Sequence, residues 1–256
     1  MSNANTLYII CPFVLRMNYS VIVIWGNMAK SAKITIIVDN EPSSNLLSSW
    51  GFSAYIETNE WSVLFDADTD PRVMEYNTRQ LGIDLHKVNF AILSHHHGDH
   101  YGGFKYIGSS IPGLNVYIPP GLADYLKKWG LNPITVSSSL KVFEDAWIIG
   151  PLEAWSGFYE IAFAFYVSGK GLIVVVGCSH PGVDRISMKA KEISNMEIYH
   201  VLGGYHSPSR STLDKLSEIS KFISPAHCSG RAAKEYVISR YPEKYIDIKT
   251  GLVLTY

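Results

Sequence analysis

The run His95-His96-His97-Gly98-Asp99-His100 constrains this chain more than any other feature. Imidazole nitrogens and a carboxylate oxygen crowd into consecutive residues, and both are ordinary ligands of zinc and similar divalent ions. The run follows residues 88–93, an apolar stretch that reads as a short buried strand, and precedes Gly102-Gly103, which suits a tight turn into a helix. Side chains alternate along an extended strand end, so His95 and His97 point to one side. The turn that follows lets Asp99 and His100 reach a second position nearby. Two ions about 3.5–4 Å apart form an arrangement that polarises a substrate and activates water. A surface histidine run or a tag is a poor account of a cluster inside the chain, between an apolar strand and a glycine pair.

The rest of the pattern is mixed. Residues 33–39, 51–58 and 61–66 read as strands, the last two joined by a turn at Asn59-Glu60, and residues 71–81 as a helix with Pro71 in its first turn. Residues 115–118 suit a strand and 121–129 a helix; 161–167 and 171–176 suit a strand pair around Ser168-Gly169-Lys170. Residues 181–194 read as a helix and 197–202 as a strand ending in Gly203-Gly204. Helices over 211–222 and 231–241 flank a short segment before His227, and residues 245–256 close as a strand. Strands early and strand–helix alternation later predict two packed sheets with helices outside, an α/β class. Every histidine-bearing motif falls just after a strand end, where sites are usually built.

The pattern His-x-His-x-Asp-His after an apolar strand resembles the signature of the metallo-β-lactamase superfamily. The resemblance implies a four-layer αββα sandwich with two central mixed sheets. It implies that His95 and His97 bind one metal and Asp99 and His100 another, with no role carried to His96. Leu64-Phe65-Asp66 is similar to the superfamily strand whose Asp supports the ligands from behind, a role that falls to Asp66. Gly177-Cys178-Ser179-His180, Gly203-Gly204-Tyr205-His206 and His227-Cys228-Ser229-Gly230 narrow the branch. Together they resemble the 7,8-dihydropterin-6-methyl-4-(β-D-ribofuranosyl)-aminobenzene-5'-phosphate synthases, with Tyr205 for Phe and Ser229 for Thr. His180 is placed to join His95 and His97, and His227 to join Asp99 and His100. Cys178 stands where many members carry a bridging Asp; it is either a thiolate ligand or a packed strand residue. His206 is a ligand, an acid–base group, a substrate contact or a satisfied histidine, and Asp99 and His206 are the candidate catalytic groups. His86 and His200 lie outside any motif and read as structural.

The sequence departs from the superfamily in two places. Asp66-Ala67-Asp68 stands for Asp-Thr-Gly, and residues 101–179 contain no histidine, so either His180 supplies the ligand expected there or one metal site is short of a ligand.

The resemblance covers residues 33–256, which are expected to form one domain, with 1–32 an apolar extension. Within that extension Pro12, Arg16 and Asn18 split residues 7–25 into two runs too short to span a membrane. Extra strands packed on the core, or a natural start at Met28, are the remaining readings. Lys+Arg 22 against Asp+Glu 23 favours neither nucleic acid nor an anionic membrane as partner. Three cysteines, Cys11, Cys178 and Cys228, do not make a disulfide framework and point to a reducing, cytoplasmic setting.

The implied cofactors are two divalent ions, zinc first and iron or manganese next. The implied reaction joins a dihydropterin pyrophosphate to an aminobenzene ribosyl phosphate and releases pyrophosphate, so the substrate is a small, phosphate-bearing molecule. Two alternatives share the motifs. One is a metallohydrolase in which metal-bound hydroxide attacks an ester, lactone or phosphodiester. The other is a non-catalytic binder on the same scaffold.

Overall fold

The computed structural model describes residues 14–17, 20–23, 29–43 and 45–256. Strands β1 (Val14–Met17) and β2 (Ser20–Val23) pair antiparallel, and among the described residues they join no other sheet. Met28, Cys11 and most of the apolar extension lie outside the described residues. Among the described residues no helix is long and apolar enough to cross a membrane. The chain is tied to the main body from Ala29, whose N–H donates to Asp145 Oδ2 at 2.7 Å.

The first large sheet takes β3 (Ala32–Val38), β4 (Ser53–Thr58), β5 (Ser62–Phe65), β6 (Phe90–Ile92), β7 (Asn115–Ile118), β8 (Asn132–Thr135) and β15 (Val253–Thr255). Its order is β15-β3-β4-β5-β6-β7-β8, antiparallel as far as β5 and parallel beyond it. The second takes β9 (Leu140–Phe143), β10 (Ala146–Trp155), β11 (Phe158–Val167), β12 (Gly171–Val176), β13 (Ile198–Gly204) and β14 (Ser220–Ala226), in the order β14-β13-β12-β11-β10-β9. There β12, β13 and β14 run parallel and the rest antiparallel.

The inner faces of the two sheets enclose one core, built from residues such as Ile34, Ile56, Phe65, Phe163, Phe165 and Val175. The outer face of the first sheet is covered by Val73 and Met74 of α1 (Pro71–Gln80), Phe104 and Ile107 of α3 (Phe104–Ser110) and Leu126 of α4 (Asp124–Lys128). Ile186 and Ala190 of α5 (Val183–Ser194), Leu216 of α6 (Arg210–Ile219) and Val237 of α7 (Arg231–Arg240) cover the second. The result is the four-layer αββα sandwich with two mixed sheets that the resemblance implies. Burial on both faces explains why β12 is apolar throughout rather than alternating.

Most expected elements form within a residue or two, and local chemistry sets their ends. Asp70 caps α1 by accepting from Arg72 N–H, with Pro71 preset for the first turn. Three differences matter. Strands β8, β9 and β10 have no counterpart in the sequence reading. The helix expected over 211–222 stops at Ile219, and Ser220–Ala226 is strand. Neither Gly nor Pro marks that junction; Ser220 Oγ donates to Leu216 O, closing the helix as the chain straightens. Of the strand expected over 245–256 only Val253–Thr255 forms. Tyr245 bridges to Ile223 in the second sheet while β15 pairs with β3 in the first, so the chain between must cross from sheet to sheet.

Candidate metal centre

The carboxyl ends of β3, β5, β6, β12, β13 and β14 meet at one rim of the sandwich, and every motif histidine lies there. Asp66 follows β5, His95 follows β6, Cys178 and His180 follow β12, His206 follows β13 and His227 follows β14. The short helix α2 (Gly98–Tyr101) turns Asp99 and His100 back over the rim. The backbone is strained around this spot. Asp66, Asp68, Ser179, His206, Ser207 and His227 all take positive φ between 47° and 62°. Non-glycine residues in that region cluster at functional sites.

Two sets of donors converge. His95, His97 and His180 bring one nitrogen each to within 4.8 Å of one another, and a carboxylate oxygen of Asp99 meets one nitrogen each of His100 and His227 within the same span. Cys178 lies between the sets: its sulfur groups with His95 and His100, with His180 and His206, and with His227 and Cys228. The Cys178 Sγ to His100 Nε2 distance is 3.3 Å. These are the two sets expected from the sequence, with the thiol at their junction.

The surroundings dictate which nitrogen of each ring faces the cluster. Ser94 Oγ gives its single proton to Asp66 Oδ2 at 2.7 Å, so it can only accept from His95 Nδ1–H at 2.8 Å. Nε2 of His95 then carries a lone pair; it is buried and has no partner. His100 Nδ1–H donates to Asp66 Oδ2 at 2.7 Å, and Ser94 N–H donates to Asp66 Oδ1, also at 2.7 Å. His180 Nδ1–H donates to Glu160 Oε2 at 3.0 Å. His227 Nδ1–H donates to Asn40 Oδ1 at 3.1 Å, an orientation fixed because Gly51 N–H donates to the same oxygen and Asn40 Nδ2–H donates to His227 O. His227 Nε2 is likewise buried without a hydrogen bond, 3.3 Å from Asp99 Oδ2. A buried polar atom without a partner is costly. Two such nitrogens, with their lone pairs aimed at the cluster, are what a divalent cation resolves, and the donor set of imidazole, carboxylate and thiol fits zinc.

Electrostatics agree. Burial pushes His95 well below the ordinary imidazole range, so it stays neutral and able to ligate. Burial opposes ionisation of Asp99, but His227 and His100 outweigh it and hold the carboxyl below the usual range. Burial would also discharge His100, yet the Asp66 carboxylate prevails and raises it to about 9 in the metal-free protein. Contact with Cys228 and burial push the Cys178 thiol far up, so only a cation would make it a thiolate.

The other histidines are accounted for. His96 turns away, its Nδ1 accepting from Tyr125 O–H at 2.9 Å and its Nε2–H donating to Pro119 O at 3.1 Å. His200 is buried between Tyr256 O–H and Ser224 Oγ, at 2.6 and 2.8 Å, and burial lowers it to about 3, as a structural role requires. His86 is exposed, away from the rim. His206 is exposed at the mouth, its ring centroid 4.3 Å from that of His180.

Two carboxylates at the site escaped the sequence reading. Glu160 is fully buried at the start of β11; Oε1 accepts from Cys178 and Ser179 N–H, and Oε2 from His180 N–H and Nδ1–H. Asp39, at the end of β3, accepts His227 N–H at 2.8 Å. A lone Glu in the apolar run Ile161–Val167 and its approach, and an Asp ending a strand just as Asp66 does, were the available signals. Gly177 is required by packing: a Cβ there would collide with Ser94 Oγ, the hydroxyl that links Asp66 to His95.

The sequence profile of the metallo-beta-lactamase superfamily matches residues 51–187, and the chain belongs to that superfamily. The uncharacterized protein MJ0448 of Methanocaldococcus jannaschii is 26% identical over 239 residues, covering 77% of this chain and 90% of its own. The 7,8-dihydropterin-6-methyl-4-(beta-D-ribofuranosyl)-aminobenzene-5'-phosphate synthase of the same organism is 24% identical over 252 residues, covering 76% of this chain and 84% of its own. Among solved structures, Tm1679, a metal-dependent hydrolase of the beta-lactamase superfamily, superposes with a TM-score of 0.74 at 23% identity, over 87% of this chain and 98% of that one. That likeness establishes the fold.

Proposed function

We propose that the chain, through residues 33–256, is a metal-dependent enzyme acting on a small phosphate-bearing substrate. Its reaction is the coupling of a dihydropterin pyrophosphate to an aminobenzene ribosyl phosphate. The observation that carries this reading is the convergence of the Gly-Cys-Ser-His, Gly-Gly-Tyr-His and His-Cys-Ser-Gly loops on one rim, where Cys178, His180, His206, His227 and Cys228 share ligand groups. The relative named for that synthase activity adds to it.

His95, His97 and His180 would hold one divalent ion, and Asp99, His100 and His227 the other, with Cys178 shared between them. A metal pair supplies Lewis-acid polarisation and neutralises charge on a leaving pyrophosphate. In the coupling, the amine nitrogen bonds to the pterin methylene carbon, the carbon–oxygen bond breaks, pyrophosphate leaves with the electron pair, and the amine sheds one proton. His206 is the residue to receive that proton. Burial and the neighbouring His180 keep it below the ordinary imidazole range, so at neutral pH it is uncharged and open to solvent. The free thiols Cys178 and Cys228 suit a reducing, cytoplasmic setting.

The test supplies both substrates to metal-loaded protein and follows pyrophosphate and the coupled product. Equal amounts of the two support the reading. Turnover of ester, lactone or phosphodiester substrates without coupling would reassign the site to hydrolysis. No turnover together with no bound metal would make the chain a binding protein.

A further inference from the structure

The hairpin joining β10 to β11 ends beside the metal centre, and its tip is aromatic. Trp155 and Phe158 are directly paired across the turn at Ser156-Gly157, so both side chains project from one face. Their rings stack at 4.4 Å between centroids and 6° between planes. Phe158 lies against His97, at 4.9 Å and 31°, and edge-on to His180 at 5.3 Å. Trp155 also meets His180 edge-on at 5.3 Å. The Phe158 ring thus lies between the indole and His97, while the indole itself reaches His180. Yet Trp155 is 51% exposed, so a large flat apolar surface is held in a fixed plane with water on its open side. A ring kept rigid by a stack beneath it and left uncovered above is a surface with a partner to be added.

We propose that Trp155, braced by Phe158, is the stacking platform for the planar ring of the substrate, and that this ring is the pterin. The inference rests on the coupling reaction proposed above and deepens it by naming the residue that holds the heterocycle. A flat, hydrogen-bonding bicycle suits an indole face, as nucleic-acid bases do. Stacked there, the ring would lie beside His97 and His180, with its pyrophosphate-bearing substituent free to turn toward the ligand sets. Trp155 is therefore a binding and positioning residue, and it sets specificity for a planar ring over an aliphatic phosphate.

The test is titration of 6-hydroxymethylpterin into zinc-loaded protein, read by quenching of pterin fluorescence, with inorganic pyrophosphate titrated in parallel by calorimetry. Wild-type protein, Trp155→Ala and Trp155→Phe are compared, with zinc content and melting temperature confirming that each is folded and loaded. The expected result is that Trp155→Ala weakens pterin binding roughly tenfold or more, Trp155→Phe weakens it less, and pyrophosphate binding is unchanged in both. Pterin bound equally well by Trp155→Ala would overturn the platform while leaving the coupling reaction standing. Failure of the wild type to bind pterin, while it still binds pyrophosphate, would overturn the platform together with the pterin substrate.

Discussion

The Glu160 carboxylate holds His180 at two points, accepting its backbone N–H at 2.9 Å and its ring Nδ1–H at 3.0 Å. One buried side chain therefore fixes both where the histidine sits and which nitrogen it presents. The same carboxylate also receives Cys178 and Ser179 N–H, so it shapes the whole loop after β12. Glu160→Gln keeps the volume but places an NH2 group against donors. We expect zinc affinity to fall about 10–100-fold, as for other groups that orient metal ligands from behind. Competition with a chromophoric chelator measures this. Glu160→Ala should in addition lower the melting temperature, because four donors lose their acceptor. Unchanged zinc affinity in Glu160→Gln would reduce Glu160 to a fold residue.

His100 sets the pH dependence of metal uptake. Asp66 raises it to about 9 in the metal-free protein, so below that pH the ring carries a proton on Nε2 as well as Nδ1. A metal taking Nε2 must displace that proton. Apparent affinity should thus rise with pH, by up to about tenfold per unit from this group, and level off above pH 9. Calorimetry in buffers of different ionisation enthalpy at pH 7.5 should register a released proton. Asp66→Asn, which cannot hold an imidazolium, should flatten the slope.

His200 separates structure from ligation. His200→Ala leaves Tyr256 O–H without its acceptor, removes the donor to Ser224 Oγ and opens a cavity beside β13 and β14. A loss of about 2–4 kcal/mol in chemical denaturation is expected, with metal stoichiometry unchanged. Loss of metal from a folded His200→Ala protein would contradict this division.

Gly177→Ala tests the close approach of the two sheets at the rim. The added methyl would push Ser94 away from Asp66 and His95, so His95 loses the contact that sets its tautomer. Both the melting temperature and zinc affinity should drop, whereas alanine at Gly113, where a Cβ meets open space but φ is +83°, should lower the melting temperature and leave zinc affinity unchanged.

Much of this was legible in the sequence, for identifiable reasons. The ligands come in short runs at the ends of apolar strands, so local pattern alone placed His95, His97, Asp99 and His100 together. Assigning His180 and His227 to their sets needed the family resemblance, because β7 to β12 separate His100 from His180 in sequence, and α5, β13, α6 and β14 separate His180 from His227. Glu160 was not legible, since its partners are backbone N–H groups eighteen to twenty residues on, contacts no pattern predicts. The β14 strand was masked by a helix that runs into it without a breaker, and the closing segment by a crossing between sheets that leaves only three paired residues.

The direct test of the central claim is metal content, measured by plasma mass spectrometry on protein purified without added metal. His97→Ala and Asp99→Ala, singly and combined, are measured beside the wild type. The arrangement of two donor sets predicts close to two equivalents of divalent metal for each wild-type chain, fewer in each single variant and little in the double. A wild-type protein that carries almost no metal, and takes up none from added zinc or manganese, would contradict it.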